Sequence, residues 1–392
     1  MASFSQNSAP RSAPLSFSER VHQFWQRVTE GMEINQLWMQ FKKDATSSYR
    51  LYSRAVQARS PNDPLTHSMW NTGKQFAWSI LEKLSPARRV LLLFGFVLLV
   101  FPGGGFSYRG NRGQLEVIEF DFHFAGGSLI FILLMLEIAD RVVMKRDLEI
   151  ARDIQKWLLP ANPPVVPGLA IAFATRAANT VAGDFYDVFP RAAANNTPPR
   201  HLFAVADVAG KSIPAALLMA TFQASLRTLS ITPCELPDLV AGMNRYACTN
   251  SQGGLRFTTA FLAEFDPVTR QLHYVNAGHN APIVRRPSGA LERLDQGGLP
   301  LGIQEGAVYD SATVTLNAGD WLVIFTDGLV EAVNAQGEEY GEDRMLANLA
   351  AAPGATPDEM LRRMIAAVDA FAGSTPQHDD ITCVLVRAAD VA

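Results

Sequence analysis

Cysteine is nearly absent from this chain: Cys234, Cys248 and Cys383 are the three found in 392 residues. They are too few, too far apart and odd in number, which excludes a disulfide framework or a zinc knuckle and suits a reducing compartment. Charge is scarce as well. Asp, Glu, Lys and Arg make up 18% of the chain while apolar residues reach 48%, which excludes an intrinsically disordered protein. The 34 basic residues nearly balance the 38 acidic ones, for a net charge of −4. A protein devoted to nucleic acid carries a basic excess, so no nucleic-acid partner is expected. The opening residues, MASFSQNSAPRSAPLSFSER, lack the apolar core of a secretion signal, so no cleavage is expected there. A P-loop and a glycine-rich nucleotide loop are missing too.

The hydrophobic residues that are present are unevenly spread. Residues 1–86 read as a helical region, with Val21, Phe24, Trp25 and Val28 at helical spacing and no catalytic constellation. Residues 87–140 hold two apolar runs. Residues 90–106 carry no acidic or basic side chain, and residues 124–139 carry only Glu137. Both are apolar on all faces, which predicts a transmembrane hairpin; the alternative is a pair of helices buried in a soluble domain. Lys83, Arg88 and Arg89 precede the first run, and Arg141, Lys145 and Arg146 follow the second. This basic flanking puts both ends in the cytoplasm, so a cytoplasmic-membrane protein with a cytoplasmic C-terminal domain is expected.

Residues 141–160 read as a connector helix ended by Pro160. Leu148, Ala151, Ile154 and Leu158 form one apolar stripe on it. The stripe either pairs with its copy in a homodimer or packs on the chain's own C-terminal domain. Residues 161–392 alternate short apolar strands with Gly, Pro, Asn and Asp turns, and place helices in groups at about 213–229, 236–248, 341–351 and 357–371. That pattern predicts an α/β domain with largely antiparallel sheets.

Four acidic sites lie where apolar strands meet turns. Asp184 is in VAGDFYD, Asp207 in VADVAGKS, Asp327 in VIFTDG, and Asp379 and Asp380 stand in QHDDITCVLV. Converging carboxylates repel unless cations neutralise them, and an all-oxygen donor set suits Mg²⁺ or Mn²⁺. Each acid alone is ordinary turn chemistry. Lys211 is a candidate phosphate contact or a solvated loop lysine. His279, in NAGHNAP, is a candidate general acid or a histidine that holds a turn. Asp187 and Glu331 read as turn or supporting residues.

In order, ARDIQKWLLP, VAGDFYDVF, VADVAGKS, FTTAFLAEFDP, VNAGHNAP, LPLGI, FTDGLVEA and HDDITCVLV resemble the metal-dependent PPM-type serine/threonine protein phosphatases, in their bacterial SpoIIE-like and RsbU-like branch. The resemblance runs from roughly Leu148 to the end. It implies two packed, largely antiparallel sheets flanked by helices, two Mn²⁺ or Mg²⁺ ions, and hydrolysis of phosphoserine or phosphothreonine in a protein. It implies that Asp207 bridges both ions, with the Val208 carbonyl beside it. By the same resemblance Asp184 serves the second ion, and Asp327 and Asp379 serve the first. Asp380, Lys211 and His279 would support the ligands or touch substrate. The substrate implied is a phosphorylated anti-sigma-factor antagonist. Ala182 and Ser212 depart from the family, which often has glycine at both positions. The rival readings are a non-catalytic signalling adaptor of the same fold, against which every expected acid is retained, and a nucleotide cyclase, against which TDG and DDIT stand.

Overall fold

The computed structural model describes residues 78, 81, 84–101, 104–109, 115–191, 199–250 and 256–389. The helical reading of residues 1–86 falls almost wholly outside them. The chain divides into two units, 1–140 and 141–392.

In the first unit, helix α1 (Pro86–Val100) opens on Pro86, whose missing N–H costs nothing at a helix start. Strands β1 (Gly104–Arg109) and β2 (Leu115–Phe120) form an antiparallel ribbon. Helix α2 (Phe122–Leu158) follows and passes from the first unit into the second. The apolar run expected over residues 90–106 is therefore cut: Pro102 follows the end of α1, and residues 104–106 belong to β1. Among the described residues α2 alone is long and apolar enough to cross a membrane. The two helices touch through glycine. A Cβ at Gly126 would lie 2.7 Å from the Gly95 carbonyl oxygen, so the backbones approach as no larger residue would allow. Arg88 pairs with Glu137 at 3.2 Å and Asp140 at 2.7 Å.

The second unit is built on two sheets. One orders β10 (Gly297–Gly298), β7 (Gln271–Ala277), β6 (Thr258–Phe265), β5 (Arg200–Val208) and β4 (Phe185–Arg191), with β11 (Ala312–Thr315) also on β7. The other orders β3 (Leu169–Arg176), β13 (Ile381–Ala388), β12 (Trp321–Phe325), β8 (Ile283–Arg285) and β9 (Leu291–Arg293). All pairings are antiparallel except β10 with β7.

The period-two alternation of the strands explains the layering. Phe203 and Val205 of β5, Phe261 and Phe265 of β6, Leu322 and Ile324 of β12, and Val384 of β13 share one core between the sheets. The alternate residues of β5 and β6, Ala204, Ala206 and Leu262 among them, pack on α3 (Ser212–Leu229) and α4 (Leu236–Asn250). On the other side, Trp321, Val323 and Leu385 meet α6 (Glu342–Ala351) and α7 (Pro357–Ala372). Helices thus cover both outer faces of a sandwich. The expected antiparallel α/β architecture is what the chain adopts.

The connector stripe needs one correction. Leu148, Ala151 and Leu158 are half-buried, but Ile154 is 47% exposed and Gln155 is buried instead. At 3.6 residues per turn Gln155 falls between Leu148 and Ala151 on the helix face, whereas Ile154 lies about 120° from Leu148.

Candidate active site

The two sheets deliver the acids to a common edge. Asp207 lies near the end of β5, paired in register with Thr259. Asp184 stands immediately before β4, in the same sheet. Asp327 opens the short helix α5 (Asp327–Val330) two residues after β12, and Asp379 and Asp380 precede β13, in the other sheet.

The five carboxylates act on one another. Burial first, and then the Asp207 charge, hold the Asp184 carboxyl well above the usual carboxylate range. Burial, then the charges of Asp327, Asp379 and Asp380, push Asp207 up to about 7. Burial and then Asp379 raise Asp327. Glu331, exposed at the rim, is raised by burial and then by Asp327. Asp380 is raised by burial although it accepts from the Ala178 N–H at 2.7 Å and the Gly183 N–H at 2.6 Å. Both its oxygens are spent on backbone, so it holds the loop that leads into Asp184.

Among the described residues no group of three or more His, Cys, Asp or Glu side chains is gathered tightly enough to hold an ion as it stands. Repulsion opposes closer approach, and Lys211 is drawn to Asp379 at 2.9 Å while donating to the His378 carbonyl at 2.6 Å. Lys211 thus ties the 378–379 loop while its side chain stays half exposed. The donors fit hard divalent cations by their chemistry: they are oxygens, anionic, and desolvated enough that unneutralised charge is costly. The space beside them fits as well. A Cβ on Gly183 would lie 3.1 Å from the Val208 carbonyl oxygen and 3.9 Å from Asp207 Oδ1, filling the cradle next to both. Gly328 is required for closeness too, since a Cβ there would sit 2.0 Å from the Asp380 carbonyl oxygen. Beside the acids opens a cleft of about 540 Å³ lined by Arg176, Lys211, Glu331, His378 and Asp379.

His279 is not available as a proton donor to substrate. It is buried, its Nδ1 hydrogen-bonds with Thr259 Oγ1 at 3.0 Å, and Asn276 bonds its backbone on both sides. Burial pulls its imidazole down to about 4, which keeps the ring neutral. Asp187 lies within β4 rather than in a turn, and accepts from Arg227 at 2.8 Å. Ser212 adopts φ 62, the left-handed region. Serine there carries roughly 1–2 kcal/mol of backbone strain that glycine would not. Ala182 is not left-handed, so its Cβ is tolerated.

Three supporting residues were not anticipated from the sequence. Thr326 is fully buried and donates to Asp184 Oδ2 at 2.9 Å, while its Oγ1 accepts from the Thr382 N–H at 2.9 Å. The third is Gln155, whose amide meets the Ala182 backbone. The threonines carried a signal, since each lies within two residues of an acid at a strand end.

Residues 197–389 match the family model described as stage II sporulation protein E (SpoIIE). Residues 197–389 are thus SpoIIE-like. Over 195 residues the chain is 29% identical to phosphoserine phosphatase RsbU of Bacillus subtilis strain 168, covering 50% of this chain and 56% of that one. Over 314 residues it is 26% identical to protein IcfG of Synechocystis sp. strain PCC 6803, covering 71% of this chain and 47% of that one. The chain thus spans about half the length of these relatives. Its fold matches the SiaA-PP2C domain of Pseudomonas aeruginosa at a TM-score of 0.55 and 21% identity, covering 64% of this chain and 99% of that one.

The buried His279 makes a stability prediction. Its folded value near 4 lies below an unfolded value near 6.5, so the unfolded chain binds more protons between them. The stability it contributes is full above about pH 6.5 and is lost as pH falls toward 4, by up to about 3 kcal/mol. Urea unfolding of the wild type and His279→Asn at pH 7 and pH 4.5 measures it. The stability gap between them should shrink by roughly 2–3 kcal/mol at the lower pH; a constant gap contradicts a neutral buried ring.

Proposed function

We propose that the chain hydrolyses phosphoserine or phosphothreonine in a protein, using a pair of Mn²⁺ or Mg²⁺ ions held at the sheet edge. The observation that supports this reading is the convergence of Asp184, Asp207, Asp327 and Asp379 on one edge of the two sheets, where burial and neighbouring charge push Asp207 up to about 7. Asp207, the Val208 carbonyl and Asp184 would hold one ion, and Asp207, Asp327 and Asp379 the other. Bound ions would neutralise the carboxylates, polarise the phosphoryl oxygens and acidify a water for in-line attack. The chain's own residues do the placing. Thr326 orients Asp184, and Asp380 fixes the 178–183 loop by its backbone. Lys211, at the cleft mouth, would exchange Asp379 for substrate phosphate. The mechanism needs no covalent nucleophile, and Cys383 is buried with its thiol pushed up to about 12.

For the substrate we propose a phosphorylated anti-sigma-factor antagonist, on the likeness to the RsbU branch. The cleft beside Asp379 would receive the chain flanking the phosphoserine. We also propose that α1 and α2 form a membrane hairpin with both ends in the cytoplasm. The support is exposed apolar surface, including Val90, Phe94, Phe124, Phe131 and Ile132, together with the Gly95–Gly126 approach and the Arg88 ion pairs. A second copy would pair along the outward face of α2, where Val143, Ile150, Ile154 and Trp157 are exposed.

Three measurements test these parts separately. Phosphoserine-peptide hydrolysis with and without added Mn²⁺ should show strict dependence on the ion, and Asp207→Asn should lower turnover on the order of 10³–10⁴-fold. Because that change removes a half-buried repelling charge, it should also raise the melting temperature in EDTA. Near wild-type turnover at limiting Mn²⁺ would contradict the role. Carbonate washing of isolated membranes should leave the full-length chain with integral proteins, and its release would refute the hairpin. Ile154→Asp should halve the solution mass in detergent, whereas an unchanged mass would exclude pairing through this face.

A further inference from the structure

We infer that Gln155 is a positioning residue through which the connector helix sets the cation affinity of the site; this rests on the metal-dependent reading above. The geometry is a two-way clamp. The Gln155 Nε2 donates to the Ala182 carbonyl at 2.6 Å, and the Ala182 N–H donates to Gln155 Oε1 at 3.0 Å. A side-chain amide thus pairs with one backbone residue as a neighbouring strand would, and both groups are buried.

The place of the clamp gives it its effect. Ala182 is two residues before Asp184, and the next N–H, that of Gly183, is held by Asp380. Gly183 packs against the Val208 carbonyl, beside Asp207. The 178–183 segment is therefore fastened from two sides, by Asp380 from the edge of β13 and by Gln155 from α2. Asp380 is part of the acid cluster itself. Gln155 is on a helix that otherwise has little hold on the domain: residues 141–147, 149 and 150 of α2 are exposed, and the helix takes hold through its last turns. There Leu159 enters the packing of both cores on either side of the β4–β5 sheet, and Tyr186 reaches the Pro160 carbonyl.

The physical consequence follows from what an unmade clamp costs. Rotating or withdrawing the last turn of α2 leaves a buried amide and a buried peptide unpaired, unless the 178–183 loop moves with it. A loop that moves carries Asp184 away from Asp207. Movement of α2 is thereby converted into a change in how well two carboxylates can share cations, without any contact between α2 and the ligands.

The test uses the full-length chain in detergent. Gln155→Met keeps length and packing and removes both hydrogen bonds. Gln155→Glu keeps an acceptor for the Ala182 N–H and serves as the second variant if Met disturbs the fold. Lys156→Ala, on the exposed side of the same turn, is the control. Mn²⁺ affinity is read by electron paramagnetic resonance of free Mn²⁺, and the protection of residues 178–184 by amide exchange. Both Gln155 variants should weaken Mn²⁺ binding about 10-fold or more. Exchange should accelerate at Ala182 and Gly183, turnover should recover at saturating Mn²⁺, and the control should match the wild type. Wild-type Mn²⁺ affinity in either folded variant would overturn the inference, as would unchanged exchange at Ala182. If the wild type binds no Mn²⁺, the metal-dependent reading itself fails, and the exchange arm still decides whether the clamp holds the loop.

Discussion

Several carboxylates forced into one desolvated place are the constraint on which this structure turns. Asp207 lies half-buried near the end of the inner strand β5 and Asp184 is buried just before the edge strand β4, and burial is the leading cause of the rise in both. Folding alone gives no return for this arrangement, since each charge opposes its neighbours. A protein tolerates such a site when the rest of the fold over-determines it. Here the surplus comes from three apolar cores, one between the sheets and one under each helical layer.

Around the acids, hydrogen bonds rather than opposing charges do the holding. Thr326 and Thr382 cross-link β12 and β13 beneath Asp184, Asp380 spends its oxygens on backbone N–H groups, and Gln155 pairs with Ala182. None of these adds an opposing charge that would quench the cluster. The cation that comes closest, Lys211, sits at the rim and is half exposed, where it is free to change partners. The arrangement preserves negative potential at the edge while fixing the backbone that carries it.

Much of this was legible in the sequence because the strands announce themselves. Strand β5 alternates sides residue by residue, and Asp207 lies on it where the apolar pattern gives way to a turn. Strand β4 was not legible. Phe185–Arg191 contains Asp187 and Pro190, which argue against a strand, yet β4 is the edge of its sheet, where a missing N–H is tolerated. Asp187 is satisfied there by Arg227. Gln155 was hidden for a different reason. A polar residue between apolar ones reads as the solvent face of a helix, and nothing local says that its amide will meet a peptide 27 residues away. The apolar run over residues 90–106 overstated a helix because hydropathy does not register where one stops: α1 ends at Val100 and residues 104–106 belong to β1.

The central claim is that the acid cluster exists to bind divalent cations. Counting bound Mn²⁺ per full-length chain, by titration with free Mn²⁺ followed by electron paramagnetic resonance, tests it without reference to any substrate. The account predicts saturable binding of two ions per chain above pH 7, with affinity weakening as pH drops below about 7 and protons reclaim Asp207. A chain that remains folded and takes up no Mn²⁺ saturably would contradict it.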